Sequence, residues 1–419
     1  MEHQVEIPLL VCVPFAVLLL LIAVMPLMYP HWWEKNRNKA IVAAVMSLPV
    51  FIYLLLEIPE ELLITFKDYI SFIILLASLF IISGGILLKG DLKATPAVNT
   101  AFLAIGAVIA NVIGTTGASM LLIRPLLRTN SERKHTFHIP IFFIFIVSNI
   151  AGSLTPLGDP PLFLGYLRGV PFTWTFTLLP QWLTAVGILL AVFFIWDSLA
   201  FRKEEFLDIV RDISNKQPLR ISGTVNLLFL LMVVMAVFKA PTPYRELIMI
   251  AATALSLVFT KKEIREGNGF TFSPISEVAI LFAGIFVTMV PLLALLGQKG
   301  ASLGITQPWQ FFWLSGGLSS FLDNAPTYLT FTSLAESVTK ANSLGLPVIA
   351  GVRTDLLTAV SCGAVFMGAN TYIGNGPNFM VKAIAEEQGM KVPHFFQYMI
   401  YSGLILIPLF ILITFIFFR

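Results

Sequence analysis

Long apolar runs, each closed by a cluster of charged or turn-forming residues, recur from residue 7 to residue 418. Runs of about 17 or more such residues can cross a hydrocarbon core of about 30 Å. They predict helices near 7–29, 40–56, 69–88, 137–166, 176–200, 222–239, 245–260, 274–297, 352–381 and 396–418. Two stretches break the pattern, 95–128 and 307–338. Each is too long for one crossing and carries Gly, Asn, Thr or Pro near its middle. Both flanks of the first are basic, with Lys89 and Lys93 before it and Arg128, Arg133 and Lys134 after it. The positive-inside rule holds both flanks in the cytoplasm. The stretch is therefore expected to enter, turn near Asn111–Gly117 and leave on the same side, as a re-entrant hairpin. Continuing the count, 307–338 enters and leaves from outside, with its tip near Asp323–Thr327, and both termini are external. The acidic segment Glu57–Asp68 then reads as an external loop.

Composition places these runs in a lipid environment. The chain has 419 residues, 57% hydrophobic and only 12% charged, where a soluble domain carries about 25% charged residues. Its mean hydropathy is +0.85. The expected fold is an all-α polytopic membrane protein of about 11 transmembrane helices plus the two hairpins. The first run is long for a signal peptide, lacks a basic leader and is followed by more spans, so it reads as a retained helix. A net charge of +3 says little about partners beyond the bilayer and gives no nucleic-acid footprint. Cys12 and Cys362 lie in separate apolar segments and read as buried small hydrophobes. The five histidines have no ligand spacing, and no Walker A, dinucleotide-binding or zinc motif is present. No cofactor, nucleophile–base set or enzymatic activity is expected; the only ions are transported ones.

Internal similarity organises the chain. Thr155-Pro-Leu-Gly-Asp-Pro-Pro161 and Thr371-Tyr-Ile-Gly-Asn-Gly-Pro377 share the pattern Thr-x-x-Gly-[Asp/Asn]-x-Pro, and Asn111 and Asn324 mark the two tips upstream of them. The organisation expected is an N-terminal helix (1–36), repeat 1 (37–200) with hairpin 95–128 and broken helix 137–166, and a cytoplasmic amphipathic linker helix (201–221). A linking transmembrane helix (222–244) and repeat 2 (245–419), with hairpin 307–338 and broken helix 352–381, complete it. Because the hairpins enter from opposite sides, the repeats are inverted. Gly and Pro at these breaks free backbone groups, which is how secondary transporters build midplane sites.

Two carboxylates lie at those breaks. Asp159 follows Gly158 and precedes two prolines, and Asp323 sits at the second tip. An ionisable group at membrane depth points to function, against the plainer reading of each as a helix cap. Asp197 and Glu246, at span ends, read as facing headgroups, and Asp355 as an ion-pair partner of Arg353.

The stretch Ser148–Gly165, with Asn111–Ser119 before it, resembles the ion-transporter superfamily. More narrowly, it is similar to the branch of sodium/proton antiporters and citrate-transport proteins. Phe282–Thr288, Leu322–Tyr328 and Gly368–Asn378 extend the resemblance over most of the chain. It implies cation sites made by a hairpin tip and a broken helix of each repeat, and a homodimer. On this sequence those sites are Asn111, Thr115, Thr116, Asn149 and Thr155, and Asp323, Asn324, Thr327, Asn370, Thr371 and Asn375, with Na+ and H+ as the ions. The tips read Ala-Asn-Val and Asp-Asn-Ala, not the Ser-Asn-Thr of dicarboxylate carriers. The reading that follows is sodium/proton antiport in a multi-pass protein of the cell inner membrane, with Asp159 and Asp323 shared between cation and proton. The alternative is sodium- or proton-coupled uptake of citrate or a dicarboxylate. Two central carboxylates repel a bare tricarboxylate, an objection that a metal-complexed substrate escapes.

Overall fold

The computed structural model describes residues 7–214, 217–342 and 345–419. The chain is mainly helical, and among the described residues seven helices are long and apolar enough to cross a membrane. In chain order the α-helices of eight residues or more and the strands begin with α1 (Val13–Met28), α2 (Asn36–Glu57), α3 (Pro59–Ser83), β1 (Leu87–Asp91), α4 (Pro96–Thr129), α5 (His138–Ile146), α6 (Pro160–Leu167) and α7 (Leu179–Phe201). Next come α8 (Phe206–Ser214), β2 (Gln217–Ser222), α9 (Val225–Lys239), α10 (Tyr244–Phe259), α11 (Ser273–Lys299), α12 (Pro308–Ser319) and α13 (Asn324–Ala341). After the short strands β3 (Val348–Ile349) and β4 (Val352–Arg353), α14 (Thr354–Phe366), α15 (Gly376–Glu387) and α16 (Phe395–Phe417) finish the chain.

Proline sets many of the starts. Pro59, Pro96 and Pro308 occupy first-turn positions, where no intrahelical N–H is needed. Thr95 caps α4 by accepting from Val98 N–H, and Gln307 and Gln310 form a reciprocal box on α12. Pro59 has a consequence that charge alone hid: the acidic segment expected as the loop Glu57–Asp68 is helical from Pro59 onward, the first turns of α3.

α4 doubles back. Gly114 has φ 78 and ψ 156 inside it, the left-handed half of the map that glycine enters without strain. The amide groups of Asn99 and Asn130, 31 residues apart, bond each other at 2.9 and 2.8 Å. A straight helix of that length would hold them about 46 Å apart, so the arms 96–113 and 115–129 lie side by side. In the second half, α12 and α13 flank the turn Ser320–Asp323. The far end of α13 returns to the start of the unit, where Ser337 Oγ accepts from Ala301 N–H at 3.1 Å.

Every residue of α5 is buried, as is Leu356–Phe366 of α14 apart from Thr358. A helix apolar all round belongs inside, and these two short helices are the centre of the molecule. Both end in irregular backbone. The chain passes a 3-10 turn (Ile150–Leu154) and resumes as α6; after α14 it passes Met367–Asn370 and resumes as α15. At each break two glycines oppose each other. A Cβ on Gly158 would run into Gly152 O, and one on Gly374 into Gly368 O.

The linker departs from expectation. Among the described residues of 201–221, Phe206–Ser214 is helical, beside the end of α7 at Phe201; Gln217–Ser222 is a strand pairing antiparallel with β1, Leu87 opposite Ser222 and Asp91 opposite Gln217, with a bulge at Gly90. β3 and β4 form a second small ribbon, so the fold is not purely helical. The linker grips both ends of the first hairpin. Asp212 accepts from Ala94 N–H at its entry, and Glu204 accepts from Lys134 and His135 N–H at its exit, both at 2.9 Å. Mixed charge at helical spacing does not distinguish a surface helix from a strand held by a partner 130 residues upstream.

In that ribbon burial, reinforced by Glu132 and Asp212 and opposed by Arg128, pushes the Asp91 carboxyl up to about 6. A carboxyl raised in the folded state stabilises below its unfolded value near 4, and that contribution is lost as pH rises through about 6. Asp91→Asn should therefore melt higher than the parent at about pH 7.5 and no higher at about pH 4. Thermal melts at the two pH values read the difference directly; a gain confined to acid pH would contradict it.

Candidate functional site

Four breaks meet at one carboxylate. Asp159 stands at the N-cap position of α6, yet its side chain makes no capping bond. Pro160 and Pro161 remove the first N–H groups that a cap would use. The carboxylate turns inward instead and is 1% exposed. Its Oδ1 accepts from Thr115 Oγ1 at 3.0 Å and from Asn375 Nδ2 at 3.2 Å, and its Oδ2 accepts from Asn324 Nδ2. Thr115 opens the second arm of α4, Asn324 opens α13, and Asn375 caps α15 by position without a capping bond. Each half of the chain thus contributes one tip and one broken helix. Asn324 Oδ1 is buried with no partner, an acceptor held beside the carboxylate.

A second ring of amides joins the two breaks. Asn375 Nδ2 also reaches Asn149 Oδ1 and Ser148 O, both at 3.2 Å. Asn149 Nδ2 donates to Asn378 Oδ1 at 2.7 Å and to Ile144 O at 2.8 Å; Asn378 Nδ2 donates to Gly368 O and Thr371 O. Asn378 is not among the expected site residues and directly follows the motif's Pro377; its place in the first turn of α15 and its full burial mark it as the bridge.

The other expected residues hold the breaks in shape. Thr155 Oγ1 donates to Asn111 O at 2.5 Å and accepts from Leu157 N–H at 3.2 Å; Asn111 Oδ1 accepts from Leu154 N–H. In the second half Thr371 Oγ1 donates to Ser320 O at 2.5 Å and accepts from Ile373 N–H at 3.3 Å, while Asn370 Nδ2 reaches Ser320 Oγ. These matched bonds pair Asn111 with Ser320, and Thr115 with Asn324. The sequence pairing of Asn111 with Asn324 is shifted. Asp323 caps α13 through Ala325 N–H at 3.0 Å, and Thr327 Oγ1 donates back to Asp323 O. Among the described residues' hydrogen bonds, neither reaches Asp159, although Asp323 lines the same cavity. The expected pair of separate clusters, one per half, is a single interlocked one.

Thr115, Thr116, Asp159, Asp323 and Asn375 line a cavity of about 100 Å³, walled further by the Gly- and Pro-containing breaks around them and by apolar residues of α3 (Leu75 to Phe80) and of the start of α11 (Pro274 to Phe282). Among the described residues no Lys or Arg lines it. Hydroxyl and amide groups from three other breaks fix both oxygens of this carboxylate in place, so that they can be offered to a small cation.

Two buried charge clusters lie away from the cavity, and both correct the expectation that Asp197 and Glu246 face headgroups. Asp197 is fully buried on α7 and accepts from Arg133 at 2.7 Å, from Asn99 at 2.9 Å and meets His138 Nε2 at 2.9 Å. Glu246 is buried against Ser71 and Arg245. Hairpin α4 supplies the cover over Asp197, which hydropathy along α7 does not register. Arg353 and Asp355 pair at 2.6 Å, as expected, and Cys12 and Cys362 are buried free thiols.

A polytopic helical membrane protein with a polar centre made from four interrupted helices is the architecture of a transport protein. The chain matches the family model described as "Putative citrate transport" over residues 4–418, and it belongs to that family. No curated protein matches it.

Proposed function

We propose that this chain is a secondary active transporter that carries a citrate-class carboxylate in company with a cation, with Asp159 holding the cation. The observation that carries the reading is the convergence of Thr115, Asn324 and Asn375, from three different breaks, on Asp159. Family membership favours the carboxylate as cargo. Turning the Asn324 amide brings its unpartnered Oδ1 toward Asp159. Asp159, Thr115 and that carbonyl then present hard oxygens of the kind that suit Na+ or a divalent ion. A cation there offsets the negative charge that would otherwise repel citrate from a cavity with no basic lining. On this reading the two halves are inverted repeats (37–200 and 245–419), the hairpins are re-entrant, both termini are external, and the protein sits in the cell inner membrane.

Sodium/proton antiport is the second reading. The lack of Lys or Arg around the cavity favours it, because a cation and a proton competing for Asp159 need no counter-charge. Purified protein in liposomes with a trapped pH dye separates the two. Radiolabelled citrate should accumulate when a sodium gradient, an acid gradient or a divalent metal is supplied, and much less without them. Alkalinisation on external sodium alone, with no citrate entry under any condition, would overturn carboxylate transport in favour of antiport.

A further inference from the structure

α6 carries Asp159 at one end and Arg168 just beyond the other, so whatever holds Arg168 also sets the position of Asp159. Arg168 Nε lies 3.2 Å from Asp68 Oδ2 on α3. The cavity runs in the opposite direction along the same helix. α3 ends at Ser83, and the following Gly84 O and Ile86 O accept from Asn268, in the basic segment before α11. The cavity walls, Leu75 to Phe80 of α3 and Pro274 to Phe282 of α11, lie toward that end. Asp68 lies one to two turns the other way, about 10 Å from Leu75 along the axis.

The side of α6 away from the cavity is closed by more than one contact. Tyr166 OH donates to Val237 O on α9 at 2.8 Å, and the Arg245 guanidinium of α10 sits 5.4 Å from the Tyr166 ring. Arg245 is itself fixed by Glu246, which accepts from Ser71 of α3. Of these contacts only Asp68–Arg168 joins opposite charges directly between α6 and α3, and it is partly exposed, with side chains 16% and 39% accessible. An ion pair of that kind forms and breaks at little cost.

We propose that Asp68 and Arg168 form a latch that holds the side of the site away from the cavity shut, and that its release opens Asp159 to that side while the cavity near α11 closes. Both are positioning residues. The proposal rests on the secondary-transport reading given above, but its test reads accessibility and needs no substrate. The two native cysteines are buried, so a single Val278→Cys reporter in the cavity wall is labelled against a low background. A membrane-impermeant maleimide should reach it in vesicles that expose the Lys261–Arg265 side. Asp68→Asn and Arg168→Gln should each slow that labelling about two- to fivefold, the range open to a partly exposed pair. The exchanged pair Asp68→Arg with Arg168→Asp should restore the parent rate, which a loss of packing would not allow. Raising salt on the far side of the membrane should slow labelling in the unmutated pair as well, so the test survives a variant that fails to fold. Unchanged labelling in both single variants and in salt, or slowing that the exchange leaves in place, would overturn the latch.

Discussion

Asp159→Asn is expected to cut coupled transport about 10- to 100-fold, in protein that still inserts and purifies as a single species. The carboxylate accepts from Thr115, Asn324 and Asn375 and is the one charged group among them. An interaction with a charged group is worth roughly 1.5–3 kcal/mol, and 1.4 kcal/mol is tenfold in an equilibrium constant. Losing the charge therefore removes most of the affinity for a cation. Asparagine has nearly the same shape. Its carbonyl oxygen can still accept from Thr115 and Asn375, and the packing of Gly158 on Gly152 is untouched. Proteoliposome flux beside size-exclusion chromatography tests both halves of the expectation; normal flux would make Asp159 a structural group.

Asp197→Asn should damage the fold and leave the site's chemistry alone. Asp197 neutralises Arg133, meets His138 and accepts from Asn99, all of them buried. Removing one member of a buried ion pair costs about 3–5 kcal/mol, because the remaining charge stays in a low-dielectric interior. Arg133 then keeps the Glu204 carboxylate at 3.5 Å and donates to Asn130 Oδ1 and Ala94 O, none of which replaces the 2.7 Å pair with Asp197. The cluster joins α7, α5 and both ends of hairpin α4, so its loss should loosen the base of the first hairpin. Cys12 and Cys362 are buried, so a thiol-reactive dye reports unfolding directly. A fall in melting temperature of less than about 2 °C would contradict the predicted loss, since an unfolding entropy of about 2.1 cal/mol/K per residue over 419 residues makes 3–5 kcal/mol roughly 3–6 °C.

These two carboxylates also mark what sequence reading reaches. Asp159 was legible because Gly158, Pro160 and Pro161 cannot continue a helix, and the same punctuation recurs at Gly374 and Pro377. Hairpin α4 was legible because both its flanks are basic. Contacts between the halves were not. Asn324 and Asn375 turn to the carboxylate in the other half of the chain, whereas the family resemblance assigned them to a site of their own. The tip pairing slipped because Ser320, which does the work of Asn111, has a commonplace side chain; only its bonds to Asn370 and Thr371 reveal the match. Asp197 and Glu246 were misread for a related reason. Position along a span predicts depth, but burial depends on which neighbouring hairpin or helix covers the residue.

The measurement that tests the central claim most directly is the thermal stability of purified parent and Asp159→Asn protein, titrated with Na+, K+, Mg2+ and Ca2+ against a choline control. A ligand that binds only the folded state stabilises it by RT ln(1 + [L]/Kd), about 2.7 kcal/mol at 100-fold excess over Kd. The account predicts that at least one of these cations raises the melting temperature of the parent in a saturable way, and that the rise vanishes in Asp159→Asn. An equal rise in both proteins, or none in the parent, would contradict a cation site at Asp159.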